Sequence, residues 1–162
     1  MTVAEALKAA NAKLQKKIDD ALNHEVYQIV RIEEHHAIDD VVYAAHSPKW
    51  YSRRGVYGGM ADISNIVIDG GSARGGVLRV INITPPNPGG TMDNSRVTVN
   101  KDLPKLIEFG HGSGGRYDFP NPRYMYMQPR PFTEETISRL QSSKEHVDGL
   151  AAGLIRQGVD VL

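Results

Sequence analysis

Forty-three consecutive residues, from Val3 to Ala45, contain neither proline nor glycine, and this stretch constrains the fold more than any other feature. Proline would remove a backbone donor and glycine would loosen the chain, so their absence leaves a helix free to propagate. Leu7, Leu14, Ile18, Leu22, Val26, Ile29 and Val30 recur mostly at steps of three, four or seven, which gathers them on one side of that helix. A long amphipathic helix is therefore predicted. Asn23 marks a place for a bend, because Asn competes for backbone hydrogen bonds, yet the apolar spacing continues through it. Ser47-Pro48 ends the helix, since proline disfavours helical geometry in the residue before it.

The sixteen glycines and nine prolines are concentrated between Gly55 and Pro131, so the middle of the chain is loop-rich. Residues 49–61 read as an exposed loop carrying aromatic and Arg side chains. Asn65–Ile68 and Val77–Ile83 are β-branched runs separated by the glycine-rich segment 70–76, which predicts an antiparallel hairpin with a mobile tip. Pro85, Pro86 and Pro88 end the second strand. Asp102–Phe109 suits a short helix with Pro104 in its first turn and Gly110 as its stop. Residues 111–115 read as a flexible loop and Tyr124–Met127 as a third strand. Thr133 is the expected N-cap of a last helix, 132–157, whose apolar stripe is Ile137, Leu140, Val147, Leu150, Leu154 and Ile155, with Gly158 at the C-terminal cap. Gly149 and Gly153, four apart on that helix, permit close helix approach. The expectation is one α+β domain over residues 1–162. It has a helical arm over 1–45, a small mostly antiparallel sheet with loops over 62–130, and a C-terminal helix packed on the sheet.

Lys plus Arg equals Asp plus Glu at 19 each, so no global field draws this chain to nucleic acid or to an anionic membrane. The chain has no cysteine, which excludes disulfides and thiolate zinc sites and fits a reducing cytoplasm. Lys and Asp interrupt the apolar residues of 1–20, so neither a signal peptide nor a membrane span is expected there.

Glu33-Glu34-His35-His36 followed by Asp39-Asp40 is the densest set of metal-ligand residue types, and His36 with Asp40 or His35 with Asp39 would fall one helical turn apart. The order lacks the zinc-protease pattern, so the cluster reads as a solvated helix face and no metal site is assigned. Gly110-His111-Gly112-Ser113-Gly114-Gly115 lacks the Lys of a phosphate loop, and His111 stands where a hydrolase elbow needs glycine. With no cysteine nucleophile and no Ser-His-Asp order, an enzyme is not expected, and neither is a cofactor. Trp50, Tyr51, Arg53 and Arg54 mix aromatics with cations, a combination that anchors protein interfaces and also stacks on bases. A protein interface is the expectation and a small nucleic-acid-binding protein the alternative.

Three segments together resemble the neck or tail-completion proteins of long-tailed bacteriophages. They are Leu106-Ile107-Glu108-Phe109-Gly110, then Met127-Gln128-Pro129-Arg130-Pro131-Phe132 opening a final helix, and upstream Ala44-Ala45-His46-Ser47-Pro48 with Tyr51-Ser52-Arg53-Arg54-Gly55. Family members carry a "VEFGT" segment followed by "PARPF" before their last helix. This chain departs from the pattern at His111 and Arg54, where the family has Thr, and in a longer loop over 85–100. The resemblance implies a virion protein made in the host bacterial cytoplasm. It would form a homo-oligomeric ring between connector and tail proteins, through which DNA passes without sequence-specific binding. It also implies partner-facing roles for Glu108, Arg130 and Phe132, with Glu108 and Arg130 as natural partners within or between subunits. The first helix and the glycine-rich hairpin are the expected ring contacts.

Overall fold

The computed structural model describes residues 1–45, 54, 57–85, 103–110 and 128–161. Trp50, Tyr51, Arg53, the segment 111–115 and the strand expected at Tyr124–Met127 lie outside the described residues.

The predicted N-terminal helix is present and uninterrupted from Val3 to Ala44. It starts on a capping box: Thr2 Oγ1 accepts from the Glu5 amide at 3.3 Å, and Glu5 Oε2 accepts from the Thr2 amide at 2.7 Å. Two stretches are wound wider than the α form. Helix α1 (Val3–Ala21) passes through a π segment, Leu22–Val26, into α2 (Tyr27–Ile38), and a second π segment, Asp39–Ala44, ends the run. Asn23, the expected bend, lies within the first of these. The helix does not break there, because a π turn absorbs an extra residue while keeping every backbone donor bonded.

The β-branched runs form a short antiparallel pair, β1 (Ile66–Ile68) with β2 (Val80–Asn82), flanked by hydrogen bonds from Asp69 to Arg79 and from Ile83 to Asn65. Both strands are shorter than the runs that predict them. The described segment 103–110 holds α3 (Leu103–Phe109), which Gly110 ends at a φ of 66°, as its position predicts.

The last helix is two helices. Helix α4 (Phe132–Ser143) and α5 (Glu145–Arg156) are separated by Lys144, which sits in the left-handed region at φ 61°. The Lys144 amide still bonds back to the Leu140 carbonyl, while its own carbonyl receives the amides of Val147 and Asp148, so one residue closes α4 and opens α5. Helix α4 also begins one residue before Thr133, which is therefore not its cap. The end of α5 follows the sequence: Gly158, at φ 72°, donates to Ile155, and Val159 donates to Leu154.

The described chain, an α+β arrangement, groups into two compact units. The first comprises residues 1–33, 67–81 and 138–162. Its core is Leu22, Val26 and Ala73, with Ile18, Val30, Leu78 and Leu150 packed against it. Leu150 brings the C-terminal helix to this core, where it packs against the first helix. A Cβ on Gly149 would stand 2.4 Å from Ile29 Cδ1, and one on Gly153 would stand 2.7 Å from Ala21 Cβ. Further along, Lys17 and Gln157 exchange two hydrogen bonds, of 2.7 and 3.0 Å. The two helices therefore run antiparallel and close, with the paired glycines at the seam. The hairpin tip in this unit is tied to the helix: Asn23 Oδ1 accepts from the Ala73 amide at 2.6 Å, and Asp19 accepts from the amides of Gly75 and Gly76 at 3.2 and 2.7 Å. The expectation of a free tip is corrected by these bonds.

The second unit comprises residues 34–66 and 82–137. Its fully buried side chains include Ala37, Ile38, Val42, Ala61 and Ile66, joined by Ile107 and Phe132.

Candidate functional site

Two of the segments that carry the family resemblance, in their described residues 106–110 and 128–132, meet in the second unit. Helix α3 delivers Ile107 and Glu108, and the extended stretch before α4 delivers Arg130. The Arg130 amide donates to the Ile107 carbonyl at 3.0 Å, fastening one motif to the other. Prolines on both sides of Arg130 restrict its backbone, so the residue reaches this geometry with less entropy to lose.

Each charge at the junction serves a helix end. The first four amides of a helix and its last four carbonyls lack intrahelical partners, and the helix dipole favours an anion at the start and a cation at the end. Glu108 Oε2 accepts from the Thr133 amide at 3.1 Å, so a carboxylate from α3 caps α4 in the place expected for the Thr133 hydroxyl. Arg130 Nη1 donates to the carbonyl of Val42 at 3.3 Å, within the last turn of the long helical run. Arg130 and Glu108 thus bind the end of one helix and the start of another through a single crossing point. Phe132 opens α4 with only 4% of its surface exposed, so its ring is packed inside the second unit. Arg54 donates from its guanidinium to the Pro85 carbonyl.

Glu34 is the site residue that the charged cluster conceals. Only 8% of it is exposed, unlike the surrounding face of exposed Glu- and His-type residues that the sequence suggests. Burial pushes its carboxyl up to about 7, against the donation it receives from Asn82, and the charge of Glu108 adds to the upward push. Burial likewise holds Glu108 above the usual carboxylate range, although Thr133 and Phe132 donate to it and lower it, and Glu134 adds a smaller upward effect. Asn82 spends its other amide hydrogen on the Met60 carbonyl at 2.9 Å and accepts from the Thr84 amide at 3.0 Å. The Thr84 hydroxyl lies within hydrogen-bond reach of both Asn82 Oδ1 and the Gly59 carbonyl, and Tyr43 accepts at its hydroxyl from the Met60 amide. A buried acid is thereby held by a network that also fixes the turn 59–62.

His35 and Asp39 come together as their spacing predicts, with Nε2 to Oδ2 at 3.4 Å, but His35 Nδ1 faces the Ala61 carbonyl at 2.8 Å. The ring is committed to holding the turn. Among the described residues no three His, Cys, Asp or Glu side chains converge as metal ligands would. Also among the described residues, no helix is long and apolar enough to cross a membrane.

A model of the YomN family matches residues 6–156. The chain belongs to the YomN family. That family takes its name from a protein of the Bacillus phage SPBc2, which places the chain among phage proteins. No curated protein and no solved structure matches it.

Proposed function

We propose that this YomN-family chain is a structural subunit of the phage head-to-tail neck, a tail-completion or connector protein that works by assembly and not by catalysis. The observation that carries the reading is the junction of Leu106–Gly110 with Gln128–Phe132. Two segments that resemble the neck family are distant in sequence, yet they are fastened by the Ile107–Arg130 hydrogen bond. Their two charges set the positions of helix ends, which is what a subunit needs if it must present fixed surfaces to neighbours. The phage origin of the family supports the same reading. In it, copies form a ring between connector and tail proteins, and DNA passes through without being read.

The test is genetic. A phage in which the gene for this chain carries a stop codon is grown with and without a complementing copy. The reading expects DNA-filled heads and separate tails without the copy, and joined, infective particles with it. Joined particles in the absence of the chain would overturn the role.

A further inference from the structure

We infer that α5 is exchanged between copies of this chain: Lys144 straightens into helix, and the α5 of one copy covers the first helix of the next at the glycine seam. As the contact of a ring, the exchange rests on the neck reading above.

The junction between α4 and α5 is held in a costly form. Lys144 sits at φ 61° and ψ 9°, a left-handed conformation that crowds the Cβ of an L residue. Among the described residues, every other positive φ belongs to a glycine. The Lys144 side chain makes no cap for α5, and Ser143 Oγ stands 3.4 Å from the Glu145 amide, a long reach for a hydrogen bond. A continuous helix would remove these costs. Lys144 would take right-handed geometry, and the amides of Glu145 and His146 would bond to the carbonyls of Gln141 and Ser142. The local sequence favours that form, because residues 133–148 include neither proline nor glycine. Ile137, Leu140, Val147, Leu150 and Leu154 also keep one helical period across Lys144.

The bent form therefore draws on what α5 touches. Gly149 and Gly153 let α5 lie against Ile29, Glu25 and Ala21, Arg156 pairs with Glu25, and Leu150 joins the core of Leu22 and Val26. None of these contacts requires that the two helices belong to one chain. The α5 of a second copy supplies the same set, and the hinge relaxes in the exchange. Bringing copies together costs entropy, which the relaxed hinge and a high local concentration offset. Hinge, seam and core all lie within the first unit, in residues 1–33 and 138–162. Each copy gives one α5 and accepts another through two different surfaces, which is the heterologous contact that a ring repeats.

The chain has no cysteine of its own, so introduced thiols report one contact. Lys17 and Gln157 exchange hydrogen bonds across the seam. A Lys17→Cys protein and a Gln157→Cys protein are mixed at high concentration, warmed to permit exchange and treated with a short bismaleimide. Cross-linked dimers of unlike copies are expected, in excess of those that either protein gives alone. Lys144→Gly accepts the left-handed geometry and disfavours the continuous helix, so adding it to both proteins should lower the association constant by about thirtyfold. Lys144→Ile, whose branched side chain resists left-handed geometry, should raise it. Circular dichroism checks that each variant is folded, and Lys144→Gly relieves strain in the unexchanged form. A mixture that cross-links no better than its components, or a yield that Lys144→Gly leaves unchanged, would overturn the inference. Exchange measured in a protein without which joined particles still form would instead reject the neck role and leave the exchange standing.

Discussion

Replacing Glu34 with Gln should make the protein more stable at pH 8 and leave it nearly unchanged at pH 5. The native carboxyl ordinarily titrates near 4.5, and burial in the second unit raises it to about 7. Between those values the folded chain holds a proton that the unfolded chain has released, so stability falls as pH rises. The contribution is complete below about 4.5 and is lost by the time pH passes 7. At about 1.4 kcal/mol for each tenfold difference in proton affinity, the full loss is about 3 kcal/mol. Most of it falls between pH 5 and pH 8. Glutamine mimics the protonated acid: it keeps an oxygen for the Asn82 donor and cannot ionise. Urea unfolding of both proteins at the two pH values measures the effect, and at pH 8 the Glu34→Gln midpoint should lie about 1 M higher. Glu108 is raised as well, so a shallower slope of the same sign should persist in the variant. A native protein whose stability is flat from pH 5 to 8, or a variant that loses stability at pH 8, would refute the reasoning.

Other substitutions probe the packing and the caps. Gly153→Ala must push against Ala21 Cβ, which cannot rotate away, so overpacking of about 1–3 kcal/mol should outweigh the gain of up to about 1 kcal/mol in helix propensity. Gly149→Ala meets only the end of the flexible Ile29 side chain and should be neutral or slightly stabilising; thermal melting that ranks the two the other way would contradict the seam. Asn23→Ala strands the Ala73 amide and should cost about 1–3 kcal/mol, with faster hydrogen exchange at the hairpin tip as its signature. Glu108→Ala removes the cap of α4 and should cost about 1 kcal/mol, read by urea unfolding at pH 8. Arg130→Ala should leave a folded, soluble chain that fails to complement the stop-codon phage.

The elements that the sequence discloses are those whose signal is local. The span of the first helix follows from 43 residues without proline or glycine, and α3 and the end of α5 follow from Pro104, Gly110 and Gly158 at the positions that helix termini require. The break at Lys144 has no such mark. A left-handed lysine is disfavoured locally and is held by hydrogen bonds on both sides, so only the folded chain discloses it. The π segments leave no pattern either, because the apolar spacing tolerates one extra residue. Glu34 was legible: it stands four residues after Val30 and four before Ile38, in the apolar stripe, and the neighbouring charges disguise it. The caps supplied by Glu108 and Arg130 join residues far apart in sequence, and no spacing rule connects a carboxylate to a helix that begins 24 residues later. The anchoring of the hairpin tip is hidden in the same way, since Asp19 and Asn23 look like ordinary polar helix residues until Gly75, Gly76 and Ala73 are placed over them.

Imaging of intact phage particles by electron cryomicroscopy, at a resolution that traces side chains, tests the neck role most directly. A closed ring of this chain at the junction of head and tail, with the duplex path running through its centre, is the predicted density. Particles whose junction is fully accounted for by other polypeptides would contradict it.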